Sequence, residues 1–127
     1  MTKLNSSGED YLETILILQQ KNGSVRSADV AKYLKVTRPS VNHAINLLKD
    51  GGFLIMNNDK TLSLTEVGTE AAERIYEMHC VLKERLVSLG VDPEIAEQDA
   101  CGIEHVLSRE SFEKIKGLGT KPVTEDR

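Results

Sequence analysis

Two cysteines in 127 residues, no run of eighteen apolar residues and no charged-then-apolar leader with a cleavage site set the first bounds on this chain. Cys80 and Cys101 lie in segments that both read as helix, which fits thiols in a reducing compartment better than a disulfide framework. Without a long apolar run there is no membrane-spanning helix, and without a leader there is no secretory signal, so a cytoplasmic protein is expected. No internal repeat, phosphate-cradling glycine loop or nucleophile elbow occurs, which removes the common signatures of nucleotide binding and of serine hydrolysis. A hydrophobic content of 39% at this length supports one ordinary core, or two small ones, the second depending on a partner chain.

The formal charge of −4 is unevenly spread. Residues 21–60 carry Lys21, Arg26, Lys32, Lys35, Arg38, Lys49 and Lys60 against Asp29, Asp50 and Asp59, a local +4 that leaves −8 for the rest. A basic segment inside an acidic chain suits phosphate contact in one module and cation binding in another.

Patterning gives a mainly α chain. Ser6 or Ser7 is expected to cap a first helix carrying Leu12, Ile15, Leu16 and Ile17 and running to about Gln20. Ser27 is expected to cap a short helix with Val30, Ala31 and Leu34; a third begins near Arg38-Pro39, carries Val41, Ala44, Ile45 and Leu48, and stops at Gly51-Gly52. Phe53–Met56 and Thr61–Leu64 around Asn57-Asn58-Asp59-Lys60 read as a β-hairpin. Thr65 opens a long helix whose seam, Val67, Ala71, Ile75, Met78, Leu82, Leu86 and Leu89, has the spacing of a face buried against another helix, often from a second chain. The helix ends at Gly90. Another, capped by Asp92 with Pro93 in its first turn, is expected to run through Leu107, with a short helix after Ser108 and a frayed tail over 117–127. The expected division is 1–64 for a winged helix-turn-helix, 65–116 for a helical metal-binding and dimerisation domain, and 117–127 for the tail.

Helix, tight turn, helix and hairpin is the order of a winged helix-turn-helix, whose second helix enters the major groove. Ser27, Lys35, Thr37, Arg38, Pro39, Ser40, Asn42, His43 and Asn46, with Lys60 at the wing tip, are the candidate contacts to double-stranded DNA. Arginine pairs with guanine and asparagine with adenine, which makes Arg38 the leading base reader; Lys32, Lys35, Lys49 and Lys60 would meet phosphates without reading sequence.

Cys101, Glu104 and His105 fall at i, i+3 and i+4, and on a helix they share one face. Sulfur, imidazole and carboxylate together suit a divalent first-row transition ion better than Ca²⁺ or Mg²⁺. Asp10 and Glu13 on the first helix and His79 on the long one add further donors. Bland readings exist for each: a packed interfacial histidine, carboxylates that favour a helix start, and for Cys80 simple core or interface packing. A winged-helix regulator without metal control and a small metalloenzyme are the rival functions. The enzyme reading is disfavoured by the absence of a separate general base and of an open coordination position in a site of six protein donors.

Glu9-Asp10-Tyr11-Leu12-Glu13-Thr14-Ile15, Ser27-Ala28-Asp29-Val30-Ala31 with Pro39-Ser40-Val41, Leu62-Ser63-Leu64-Thr65 with Gly68, and Gly102-Ile103-Glu104-His105-Val106-Leu107-Ser108 occur in this order. On these motifs the chain resembles, over about residues 7–116, the diphtheria-toxin-repressor family of iron- and manganese-dependent transcriptional repressors. The resemblance implies a homodimer that binds a palindromic operator when loaded with Fe²⁺ or Mn²⁺ and shuts off metal-uptake genes, with Co²⁺, Zn²⁺ or Ni²⁺ able to substitute in vitro. It places Asp10, Glu13, His79, Cys101, Glu104 and His105 at metal-ligand positions. Aspartate at the first position is the manganese pattern and cysteine at the fourth the iron pattern, so the set is mixed. Where iron-sensing relatives build a second site with glutamate and histidine, this chain has Lys83 and Glu97, which leaves Glu97 as a further candidate ligand and Lys83 as none while protonated. The SH3-like third domain of longer members has no counterpart in this sequence, which resembles the short form.

Overall fold

The structure, a computed structural model, describes residues 4–118 and divides into two compact units, residues 1–74 and 75–127. The division falls inside a long helix. Among the described residues, no helix is long and apolar enough to cross a membrane.

The first unit opens with α1 (Ser6–Asn22). Its cap is Asn5, one residue before the serines expected in that role: Asn5 Oδ1 accepts from Gly8 N at 2.7 Å, and Ser6 and Ser7 lie inside the helix. An asparagine is at least as good a cap as serine, so the earlier residue takes the position. The helix also runs past Gln20 to Asn22, where Gly23 closes it at φ +84°.

α2 (Ser27–Leu34) starts one residue before expectation as well, with Arg26 at the cap position and Ser27 as first helical residue. Asp29 does the capping from inside, its Oδ2 accepting from Arg26 N at 2.9 Å. Lys35 at φ +59° turns the chain into α3 (Arg38–Asp50), which is capped by Thr37. Val41, Ile45 and Leu48 bury one face of α3, and the glycines after it share the exit, Gly52 alone taking a positive φ.

β1 (Leu54–Met56) and β2 (Leu62–Leu64) form the expected antiparallel hairpin, in register Leu54 with Leu64 and Met56 with Leu62. Arg26 bridges Thr61, and Leu62 N donates to Val25 O, so the segment before α2 lies along the hairpin's second strand. α1 packs against α2, α3 and β2, around a core that includes Leu12, Ile15, Val25, Val30, Val41 and Leu54.

α4 (Glu66–Ser88) is fixed to this unit at its start. Thr65 Oγ1 donates to Gly52 O (2.7 Å) and accepts from Gly68 N (3.0 Å), while Thr65 N donates to Phe53 O (3.1 Å). A Cβ on Gly68 would lie 1.8 Å from Phe53 O, so only glycine permits this approach.

The expected seam of α4 is buried only in its middle: Ala71, Ile75, Met78 and Leu82 are enclosed, whereas Val67 and Leu89 are exposed in the chain. In the second unit, α5 (Pro93–Ile103) and α6 (Arg109–Leu118) follow α4. Phe112 from α6 is fully buried with Ile75 and Met78, and Val81 and Leu107 pack around them. Arg85 donates to Ile115 O and Lys116 O, capping the end of α6, and Lys116 pairs with Glu77.

Two expectations for this unit are corrected. α5 stops at Ile103 rather than running through Leu107, and 104–106 form a turn. The cause lies downstream: Ser108 caps α6, its Oγ accepting from Ser111 N at 3.0 Å, and a cap residue leaves helical geometry. Gly117 and Leu118, expected in a frayed tail, are the last residues of α6; residues 119–127 of that expected tail lie outside the described residues.

Candidate metal centre and nucleic-acid interface

The second unit brings His79 of α4 between two carboxylates. Nδ1 donates to Glu104 Oε1 at 2.9 Å, and Nε2 lies 2.9 Å from Glu97 Oε2. Both bonds together require a doubly protonated ring. Accordingly the hydrogen bond to Glu104, with that to Glu97, outweighs burial and raises the His79 pKa from 6.5 to about 9. Partial burial works to raise Glu97, but hydrogen bonds from Lys83 and His79 prevail and hold its carboxyl below the usual value.

Glu104 follows directly on α5, still in helical geometry, and its backbone N donates to Ala100 O. This places its side chain over α4 in the unit's interior, at 2% exposure. His105 is in the turn, so the three residues expected on one helical face are instead one helical residue, one cap and one turn residue. The His79, Cys101 and Glu104 donor atoms nevertheless all lie within 4.8 Å of one another.

Glu104 Oε2 is buried and, among the described residues, has no hydrogen-bond partner. His105 Nε2 stands 3.5 Å away, beyond a normal hydrogen bond. An unpaired buried carboxylate oxygen costs at least about 1–3 kcal/mol, which an adjacent cation would remove. The donor set of imidazole, thiol and carboxylate fits a transition ion, so the residues present suit the group the sequence implied.

The other expected donors are placed as follows. Asp10 and Glu13 lie on α1 in the first unit, Asp10 half-buried and Glu13 buried. Cys101 is exposed on α5 and Cys80 exposed on α4, so of the two expectations for Cys80, core or interface packing, core packing does not hold within the chain. Neither thiol is in a disulfide. Sequence reasoning missed the part played by Lys83, which stands 3.1 Å from Glu97 Oε1. The available signal was its position one turn after His79, but that showed only that Lys83 was a poor ligand and not which carboxylate it holds.

In the first unit most of the expected DNA contacts lie on α3, from its cap at Thr37 to Asn46. Thr37, Arg38, Pro39, Ser40, Asn42, His43 and Asn46 are all exposed; Asn42, His43 and Asn46 turn away from the face buried by Val41, Ile45 and Leu48, while Thr37 and Arg38 stand at the start of the helix, before that face is covered. Thr37 Oγ1 accepts from Ser40 N (3.2 Å) and donates to Ser40 Oγ (2.9 Å), so its hydroxyl proton is committed while Ser40 retains one to donate. Lys35 is exposed at the turn, Ser27 is half-buried at the start of α2, and Lys60 is exposed in the wing turn at φ +73°. The wing is stiffened by Asn57, which donates to Thr61 Oγ1 and Ser63 Oγ, and by Asp59, whose Oδ1 accepts from Thr61 N and Oγ1. Those bonds from Thr61 hold the Asp59 carboxyl below its usual value.

Comparison with known proteins gives two family matches. Residues 3–62 match the N-terminal DNA-binding domain of iron-dependent repressors, and residues 65–126 match their metal-binding and dimerisation domain. Among similar proteins, the transcriptional regulator MntR of Listeria monocytogenes is 38% identical over 109 residues, 86% of this chain and 77% of its own length. MntR of Lysinibacillus sphaericus is 35% identical over 112 residues, 88% of this chain and 81% of its own. Among solved structures, IdeR of T. acidophilum superposes with a TM-score of 0.79 at 26% identity, covering 95% of this chain and 56% of that one.

Proposed function

The chain belongs to the iron-dependent repressor family, and from that premise we propose that it is a cytoplasmic, homodimeric repressor that binds a palindromic operator when loaded with Mn²⁺ or Fe²⁺ and controls metal-uptake genes. The observation that carries the metal reading is the buried, unpartnered Glu104 oxygen beside His79 and Cys101. We assign His79, Cys101, Glu104 and His105 as ligands, with Asp10 and Glu13 of α1 completing the set as the resemblance implies. The DNA-binding domain is taken as 1–64 and the metal-binding domain as 65–116. The relatives' designation as MntR and the aspartate at position 10 favour Mn²⁺; the Cys101 thiol favours Fe²⁺.

Bound metal supplies positive charge that organises its ligands; it has no reaction to catalyse here. To hold an ion His79 would give up a proton, Glu104 would gain a partner for its second buried oxygen, and ligands on α1 would tie metal occupancy to the helix that packs against α2 and α3. Coupling of this kind is reciprocal: if metal tightens operator binding by some factor, operator tightens metal binding by the same factor. On the duplex, Arg38, Asn42, His43 and Asn46 would face base edges and Ser40, Lys35 and Lys60 phosphates.

The test is an anaerobic, reducing calorimetric titration of metal-free protein with Mn²⁺ and with Fe²⁺, repeated with an operator duplex selected in metal-replete buffer. Saturable binding that tightens with operator is expected. The double variant Glu104→Gln, His105→Ala should lose both metal binding and metal-dependent DNA binding. Unchanged DNA affinity in chelated and metal-replete buffers would sink the metal-activated reading and leave a winged-helix regulator without metal control.

A further inference from the structure

The two nitrogens of His79 face different partners, and the difference assigns Glu97 a role other than ligand. On the Nδ1 side lies Glu104, whose second oxygen has no hydrogen-bond partner among the described residues; the Cys101 thiol completes a cluster with Glu104 and the ring, donor atoms within 4.8 Å of one another. On the Nε2 side lies Glu97, whose Oε2 is 2.9 Å from the ring and whose Oε1 is 3.1 Å from Lys83 Nζ. The carboxylate on that side is therefore already engaged at both oxygens, one by the imidazole and one by an ammonium.

We propose that Lys83 and Glu97 form an orienting relay for His79: Glu97 keeps the Nε2 proton, so that Nδ1 is the nitrogen presented to the metal, and Lys83 holds Glu97 in place. The inference rests on the metal reading above and refines it. A metal-bound histidine commonly donates its other N–H to a carboxylate, which fixes the tautomer and ring orientation. Here the geometry supplies that carboxylate from α5 and a cation from α4 to position it. The ammonium also stands where a cation on the Nε2 side would need to bind Glu97, so that side of the ring takes no ion. Lys83 and Glu97 are positioning residues, and their effect is on affinity and tautomer rather than on the number of ions held.

Two measurements test this. In ¹⁵N NMR of histidine-labelled protein loaded with Zn²⁺, a diamagnetic probe, His79 should show a protonated Nε2 and a metal-bound Nδ1; the opposite tautomer overturns the relay. In Mn²⁺ calorimetry, Glu97→Gln should bind the same number of ions as the unmodified protein with affinity reduced about 10–100-fold, the range for such outer partners. Lys83→Gln should lose affinity in the same direction by less, and Lys83→Arg should recover it, with thermal melts in chelator showing that every variant folds. Loss of one ion from Glu97→Gln would make Glu97 a ligand, and unchanged affinity would make it a bystander; either result overturns the proposal. Failure of the unmodified protein to bind any ion would instead remove the metal reading itself.

Discussion

The two units solve the problem of a small interior in opposite ways. The first encloses an apolar core, with Leu12, Ile15, Val25, Val30 and Val41 all at 0% exposure, and turns its exposed polar residues on α3 outward. The second has a smaller apolar cluster around Phe112 and sets a charged pair beside it, His79 and Glu104, both buried, with one Glu104 oxygen lacking a hydrogen-bond partner among the described residues; the first buries a single carboxylate, Glu13. Buried charge without full pairing is expensive, so a unit that keeps it is tuned for something other than metal-free stability. The first unit is built to present a surface and the second to receive a cation.

The largest effect that would sharpen this contrast is removal of Phe112, the largest buried apolar side chain among the described residues of the second unit. Phe112→Ala should destabilise the metal-free protein by about 3–5 kcal/mol, the usual range for a fully buried phenylalanine. Saturating Mn²⁺ should return part of that, since a ligand at 100 times its Kd adds about 2.7 kcal/mol to the folded state. Chemical denaturation in chelator and in Mn²⁺ measures both. A variant as stable as the unmodified protein in chelator would show that Phe112 does not anchor the unit.

How much of this contrast could be read in the sequence differs between the units. Helix α3, the hairpin and the Thr65 to Gly68 start of α4 depend on local spacing and turn chemistry, which a sequence displays directly. The ends of elements were harder: Asn5 and Ser6 are near-equal caps a residue apart, and at α2 Asp29 satisfies the Arg26 N–H from inside, which lets the helix begin at Ser27 itself. The end of α5 was hidden because Ser108, which fixes it, acts through the following helix. The proposed metal-site donors were legible as residue types at suggestive spacings. The pairing of Lys83 with Glu97 was not, since it joins residues on separate helices and no periodicity encodes which carboxylate an ammonium selects.

A smaller effect separates the metal-free second unit from the loaded one by pH. His79 carries a folded-state pKa of about 9 against an ordinary 6.5, from its bonds to Glu104 and Glu97, with Lys83, Cys101 and His105 close to that pair. A raised pKa contributes stability that is fully present below pH 6.5 and is lost as pH rises through about 9. The upper bound on that contribution is about 3 kcal/mol, and the half-exposed Glu97 will reduce it. With metal present the slope should invert, because the ion competes with the ring proton and gains as pH rises. Thermal melts from pH 6 to pH 9 in chelator and in Mn²⁺ check this. Parallel slopes in the two buffers would mean that His79 does not exchange its proton for the ion.

The smallest effects lie in the first unit, where exposed side chains should act on DNA without touching the fold. Arg38 and Lys60 are both exposed cations, one in the first turn of α3 and one in the wing turn. If Arg38 reads a base, Arg38→Ala should cost about 1–3 kcal/mol on the selected operator and relax preference at one base pair in each half-site. If Lys60 meets only phosphate, Lys60→Ala should weaken all duplexes alike and reduce the slope of log affinity against log salt by about 0.9 for each phosphate no longer neutralised. Metal affinity without DNA should be unchanged in both variants, since neither residue is among the proposed ligands. Binding titrations across a salt series, on the operator and on a scrambled duplex, distinguish the two roles. Should Lys60→Ala lose more on the operator than on the scrambled duplex, the wing would be reading sequence as well, and the assignment of base reading to α3 alone would have to be abandoned.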